Sequence, residues 1–139
     1  MSDHIRGPVG VVGSVILAGL ALVPVQVEAC RCVMRTPAAL ARAADAVVVA
    51  DVTAFDDRDP AARAYRMHVR RSWKTRLSGP ILIRTEATTC RAELTAGRSY
   101  LIYLKRAGRS YWTDGCAGNL PVARAARAMA VLGKPAAGR

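Results

Sequence analysis

Apolar and polar side chains alternate most regularly between residues 65 and 73. The apolar positions are Tyr65, Met67, Val69 and Trp73. The polar positions between them are Arg66, His68 and Arg70. A period of two predicts a β-strand with one face toward a core. Arg71 falls on the apolar side, which predicts either a β-bulge or a position at the rim of a barrel.

Four further segments have strand-like patterns, and turn-forming residues separate them. They are residues 46–55, 81–86, 98–106 and 110–114. In the first segment the even positions are uniformly small and apolar, which suits a tightly curved barrel wall. Val47 and Val49 make the first half of that segment apolar on both faces. The sequence therefore predicts five strands in all.

Two short helices flank these strands. Thr36 and Pro37 form an N-cap and a proline start for residues 38–44. Asn119 and Pro121 are expected to open a second helix that ends near Leu132, because its apolar residues recur at helical spacing. The predicted fold is mainly β: an OB-fold-like five-stranded barrel with a short N-terminal helix and a C-terminal helix.

The first 29 residues are typical of a cleaved signal peptide. Arg6 precedes an apolar stretch, and Val27 and Ala29 place small residues at the −3 and −1 positions of a cleavage site. A membrane anchor is the alternative, but glycines and prolines dilute the roughly 20 strongly apolar residues that a span requires. We therefore expect one exported domain, residues 30–134, with a tail at 135–139. It would be secreted, periplasmic or on the cell surface.

The charge of the exported part is strongly basic. Removal of residues 1–29 leaves 20 basic and 8 acidic side chains. Arg66, Arg70, Arg71 and Lys74 predict a basic face on the second strand, which would attract an anionic polysaccharide or membrane surface. No array of outward aromatic residues accompanies these cations, which argues against single-stranded nucleic acid as a partner. Nothing in the sequence indicates an oligomer, so we expect a monomer.

The chain offers little that is typical of an enzyme. His68 is the one histidine left after cleavage, so neither a histidine metal cluster nor a nucleophile–base pair is expected. Asp56, Asp57 and Asp59 lack the glycine and distal glutamate of a calcium loop, which favours a solvated turn. We expect no catalytic residues, no intrinsic metal and no cofactor.

All four cysteines, Cys30, Cys32, Cys90 and Cys116, lie in the exported part. An even number in a small exported domain predicts two disulfides. A Cys30–Cys32 bond would close a strained ring, and the other two pairings remain open. Acylation of Cys30, as in a lipoprotein, would leave an odd number, so we expect an unmodified amino terminus. A redox role is disfavoured because catalytic pairs have Cys-x-x-Cys spacing.

These features together resemble the netrin-like domain of the tissue inhibitors of metalloproteinases (TIMPs), and more closely the short bacterial proteins that contain only that domain. The matching stretches, in order, are Cys30-x-Cys32, residues 44–48, Val69-x-x-x-Trp73-Lys74, Thr89-Cys90, Leu94-x-x-Gly97-x-x-Tyr100-Leu101-Ile102 and Cys116. They extend over residues 30–132. The resemblance implies the disulfides Cys30–Cys90 and Cys32–Cys116.

The resemblance also implies a function as a secreted metalloprotease inhibitor. The α-amine and carbonyl oxygen of a processed Cys30 would chelate the zinc of an extracellular protease and displace its water. Arg31 would enter the primary specificity pocket of that protease, where the family usually has a small residue. The second domain of the animal inhibitors has no counterpart after Leu132. The alternative is a non-inhibitory binding module that contacts anionic surface polymers.

Overall fold

The computed structural model describes residues 29–136. The predicted signal peptide lies outside these residues apart from Ala29, as do the last three residues of the predicted tail. The elements are α1 (Pro37–Ala43), β1 (Ala46–Asp56), β2 (Ala62–Trp73), β3 (Gly79–Glu86), β4 (Ser99–Ala107), β5 (Ser110–Trp112), β6 (Leu120–Pro121), a 3₁₀ turn (Val122–Arg124) and α2 (Ala126–Leu132).

Five strands close into a barrel in the order β1-β2-β3-β5-β4, and β4 pairs with β1 to complete the circle. All of these pairings are antiparallel except a short parallel contact between β3 and β5, at Ile83–Tyr111 and Arg84–Trp112. The two-residue β6 extends the sheet beside β4. The structure confirms the predicted fold class: a mainly β, OB-like five-stranded barrel with two short helices.

Strand β1 lies between two separate cores. Its even positions face the barrel interior, where they pack with Tyr65, Ile83 and Ile102. Val47 and Val49 face outward instead and are covered by the two helices together with Trp73, Leu101 and Tyr103. This double coverage explains why the first half of β1 is apolar on both faces, and why its residues 46–50 are all buried.

A β-bulge reverses the alternation of β2 near its end. Val69 pairs with Ala50 and Arg71 pairs with Val49, so Arg70 is the extra residue. As a consequence Trp73 lies outside the barrel, beneath the helices, and its indole N–H donates a hydrogen bond of 3.0 Å to the carbonyl of Gly133. The prediction that Trp73 shares the inward face of Tyr65 was wrong because the bulge shifts every later side chain to the opposite face.

The C-terminal helix begins later than the sequence predicted. Leu120 and Pro121 form β6, and regular α-helix starts only at Ala126. The side chain of Asn119 does not cap this helix: it accepts a hydrogen bond of 3.0 Å from the Tyr103 N–H and donates one of 2.8 Å to the hydroxyl of Thr113. The Asn119 side chain therefore links β4 to the segment between β5 and Cys116.

Candidate functional site

The amino-terminal tip, residues 30–35, is covalently fastened to the barrel at two points. Disulfides join Cys30 to Cys90 and Cys32 to Cys116, with Cα–Cα distances of 5.0 and 5.1 Å. These are the two pairs that the resemblance implies. The two bonds lie against each other, since the sulfurs of Cys30 and Cys116 are 3.3 Å apart. Arg31 is therefore held between two anchored neighbours.

The side chains of the tip are exposed although its backbone is anchored. Val33 is 77% exposed and Met34 is 93% exposed, and both Arg31 and Arg35 are exposed. After the tip the chain enters α1, where the hydroxyl of Thr36 accepts a hydrogen bond of 3.2 Å from the Ala39 N–H. Binding of a partner to the tip would cost little conformational entropy, because disulfides and a helix cap already fix both ends of the tip backbone.

The loops that carry the two partner cysteines are tied to each other. The Gly115 N–H donates to the carbonyl of Cys90 at 2.6 Å, and the Asp114 carboxylate accepts from the Cys116 N–H at 2.7 Å. A Cβ atom at Gly115 would lie 2.9 Å from the carbonyl oxygen of Arg91, closer than real Cβ contacts allow. Glycine at this position therefore permits the close approach that aligns both disulfides.

Two cavities flank the tip, of about 280 and 630 Å³. Both are lined by Arg31, Tyr103, Lys105 and Asp114. Burial raises the pKa of the Tyr103 phenol above its ordinary value of 10.0. The Lys105 ammonium is already used within the fold, since it donates to the carbonyl of Ala43. The side chain of Arg31 thus borders two neighbouring cavities.

Three sulfurs of the tip region lie as close together as metal ligands. The sulfur atoms of Cys30, Cys32 and Cys116 are all within 4.8 Å of one another. Each of these atoms is already bonded to another sulfur, and zinc is held by thiolates and not by disulfides. These three sulfurs are therefore not available as metal ligands while the disulfides are formed.

Arg31 makes no ion pair with any residue in the described part of the chain. Arg58, Arg63, Arg70, Arg84 and Arg91 all contact carboxylates. The guanidinium of Arg31 is consequently available to an acidic group on a partner.

The predicted basic face on β2 is not one continuous free surface. Arg70 donates to the Asp51 carboxylate at 2.6 Å, and Arg71, displaced by the bulge, lies 3.7 Å from the Met129 sulfur. The Lys74 ammonium donates to main-chain carbonyls at the end of α1, including that of Ala41 at 2.9 Å. The side chain of Arg66 is exposed and makes no ion pair within 4.0 Å among residues 29–136, although its charge contributes to the lowered pKa of Asp56. The alternation of the sequence could not reveal these partners, because they depend on the bulge and on contacts between residues that are distant in the sequence.

The aspartates of the β1–β2 turn face arginines. Asp56 accepts hydrogen bonds from the Arg58 side chain and main-chain N–H, and these interactions lower the pKa of its carboxyl group to about 2. Asp57 contacts Arg63, and Asp59 lies 3.6 Å from Arg84. His68 is exposed on the outer face of β2, as the alternation predicted.

No protein-family model matches the chain, and no curated protein matches its sequence. The two disulfides indicate an extracellular or otherwise oxidising environment. Between residues 29 and 136, no helix has the length and apolar character required to span a bilayer.

Proposed function

We propose that this chain is a netrin-like, exported inhibitor of metalloproteases that acts through its processed amino terminus. The observation that carries the proposal is the geometry of the tip. Cys30 and Cys32 are each fastened to the barrel, and exposed Arg31 lies between them. A short exposed segment held this firmly has the properties that a competitive inhibitor needs.

The inhibitory groups would be the α-amine and the carbonyl oxygen of Cys30. Together they can chelate a catalytic zinc from its open coordination position and replace the water that the protease uses. The peptide bond after Ala29 has to be cleaved first, and Ala29 is exposed. Because α-amines titrate near about 8 and only the uncharged amine binds zinc, inhibition should weaken as the pH falls below this value.

Arg31 would determine which proteases are inhibited. Its guanidinium has no ion pair with the described residues, so insertion into a partner breaks no internal contact. Burial of a cation is favourable only beside a compensating negative charge. The proposed target is therefore a metalloprotease with an acidic primary specificity pocket, and not one with the apolar pocket of typical matrix metalloproteinases.

The test compares the chain that begins at Cys30 with one that retains Ala29, since the extra residue removes the free Cys30 amine and leaves the fold intact. Intact-mass measurement establishes the amino terminus of each. Both are assayed against metalloproteases that cleave before basic residues and others that cleave before apolar ones. We expect inhibition of the first class by the Cys30 form only.

A second pair of variants tests the role of Arg31. Arg31→Glu should abolish inhibition of a protease with an acidic pocket, whereas the control Arg35→Glu makes the same charge change elsewhere in the tip. If the Ala29-extended chain inhibits as strongly as the processed one, the zinc-chelating mechanism is excluded. Equal effects of the two charge reversals would exclude Arg31 as the specificity residue.

A further inference from the structure

The ion pairs among residues 29–136 gather around the second half of β1, the turn that follows it and the loop before β4. The five carboxylates involved are Asp51, Asp56, Asp57, Asp59 and Glu93. Arg66, which pairs with Ala54 in the sheet, and Arg98, whose carbonyl accepts from the Val52 N–H, belong to the same region and have no ion pair there.

The opposite end, which the helices cover, carries cations without acidic partners. This helix-side surface consists of Arg42, Arg71, Arg124, Arg127 and Lys134. Arg42 lies in the last turn of α1, and Lys134 follows Gly133, the residue that ends α2. Arg71 reaches the same region, since its guanidinium contacts Met129 of α2. None of the five makes an ion pair with a residue described by the structure.

The acidic residue next to α1, Asp45, makes no ion pair among the described residues and offsets at most one of the five positive charges of this surface. Its carboxylate accepts a hydrogen bond of 2.8 Å from the main-chain N–H of Arg106.

An exposed apolar side chain lies among these cations. Val131 of α2 is 51% exposed and lines an open groove together with Arg42 and Lys134. Trp73 and Leu132 also line this groove. Lys74 is present too, but its ammonium is already bonded to carbonyls at the end of α1. The groove is thus lined by apolar side chains and by two cations that make no ion pair with the described residues.

We propose that the helix-side surface binds membranes that contain anionic phospholipids. Several cations on one side of the barrel are attracted to phosphodiester headgroups, and an apolar side chain at their centre gains free energy at the headgroup–acyl boundary. A soluble anionic polymer or a nucleic acid would use the cations but gain nothing from Val131. This activity is independent of the tip and goes beyond protease inhibition.

The test measures co-sedimentation of the protein, in the form that export yields, with phosphatidylcholine vesicles that do or do not contain phosphatidylglycerol. The helix-side variant is Arg42→Gln/Arg127→Gln/Lys134→Gln. The matched control, Arg58→Gln/Arg66→Gln/Arg98→Gln, removes the same charge from exposed residues at the other end. Each cation near an anionic surface contributes about five-fold to binding, so we expect the helix-side variant to bind about 100-fold more weakly.

The control variant should bind phosphatidylglycerol vesicles within about five-fold of the wild type, because its cations face away from the membrane. Val131→Ser should weaken vesicle binding by about three-fold and leave binding to dextran sulfate unchanged. Circular dichroism and thermal unfolding check that all variants fold.

Three results would overturn the proposal. The first is no binding of the wild type to anionic vesicles at low salt. The second is equal weakening by the two triple substitutions, which would mean that only net charge matters. The third is tight binding to dextran sulfate together with vesicle binding that Val131→Ser does not change, which would identify a polymer-binding surface instead.

Discussion

The β1–β2 turn and the amino-terminal tip are both exposed and rich in arginine, yet they are held in opposite ways. In the turn region the charged side chains form ion pairs and hydrogen bonds with one another. Arg63 contacts Asp57, Glu93 and the hydroxyl of Tyr65, and its guanidinium lies 4.9 Å from the centre of the Phe55 ring. In the tip two disulfides hold the backbone, and the side chain of Arg31 has no ion pair among the described residues.

This difference separates stability from recognition. A side chain that is used inside the fold contributes to the free energy of unfolding and has little left to offer a partner. A side chain on a covalently anchored backbone contributes almost nothing to stability and is available for binding. Substitutions in the turn should therefore affect unfolding, those of tip side chains should affect binding, and loss of the tip cysteines should affect both.

The largest effect is expected from removal of a disulfide. Cys32→Ser/Cys116→Ser opens a loop with a sequence separation of 84, which should reduce the free energy of unfolding by about 4 kcal/mol. Guanidinium-induced unfolding measures this loss, and the same variant should weaken the proposed inhibition because its tip is held only by the Cys30–Cys90 disulfide.

The matched control is Cys30→Ser/Cys90→Ser, which opens the shorter loop with a separation of 60. It should show a slightly smaller loss of stability, because chain entropy depends only weakly on loop length. A loss below about 1 kcal/mol in both variants would contradict the view that covalent bonds hold the tip.

A smaller effect is expected from Arg63→Ala. The side chain is only 13% exposed, and its removal leaves Asp57 without an ion-pair partner and Glu93 with Arg91 alone. We expect a loss of about 2 kcal/mol in the free energy of unfolding, measured by urea denaturation. The same truncation at exposed Arg31 should change stability by less than about 0.5 kcal/mol. Similar losses at the two positions would remove the distinction between the regions.

The fold was largely predictable because it depends on local patterns. The period of two in β2 predicts a strand, and the structure has this strand. The two apolar faces of β1 predict a strand that is covered on both sides, and β1 does lie between two cores. The bulge was one of two alternatives that Arg71 left open. Sequence alone could not locate it, because a bulge is defined by pairing with a second strand, here between Val49 and Ala50.

The site was less predictable because it depends on contacts between distant residues. The cysteine pattern indicated two disulfides, but the assignment of pairs rested on resemblance. The partners of the predicted basic face were unpredictable for a related reason: cations that are adjacent in the sequence take different partners in space. Lys74 binds the end of α1, whereas Arg70 binds Asp51. Nothing in the local sequence marks Arg42 and Lys134 as neighbours in one groove.

The smallest effect concerns the pH response of the turn. The pKa of Asp56 is lowered from 3.8 to about 2, first by the Arg58 side chain and next by its main-chain N–H. A carboxyl group whose pKa is lower in the folded state stabilises the fold above its unfolded pKa, and loses that contribution as the pH falls toward 2. NMR titration of the Asp56 side chain should give this midpoint.

In Arg58→Ala the pKa of Asp56 should rise toward 3.8, although the main-chain hydrogen bond will keep it somewhat lower. The change in stability should be minor, since solvent screens an ion pair this exposed. An unchanged midpoint would show that Arg58 does not hold the carboxylate. The Asp56 side chain would then be available to a partner, as the side chains of the tip are, and the contrast between the two regions would rest on Arg63 and on the Arg84–Asp59 pair.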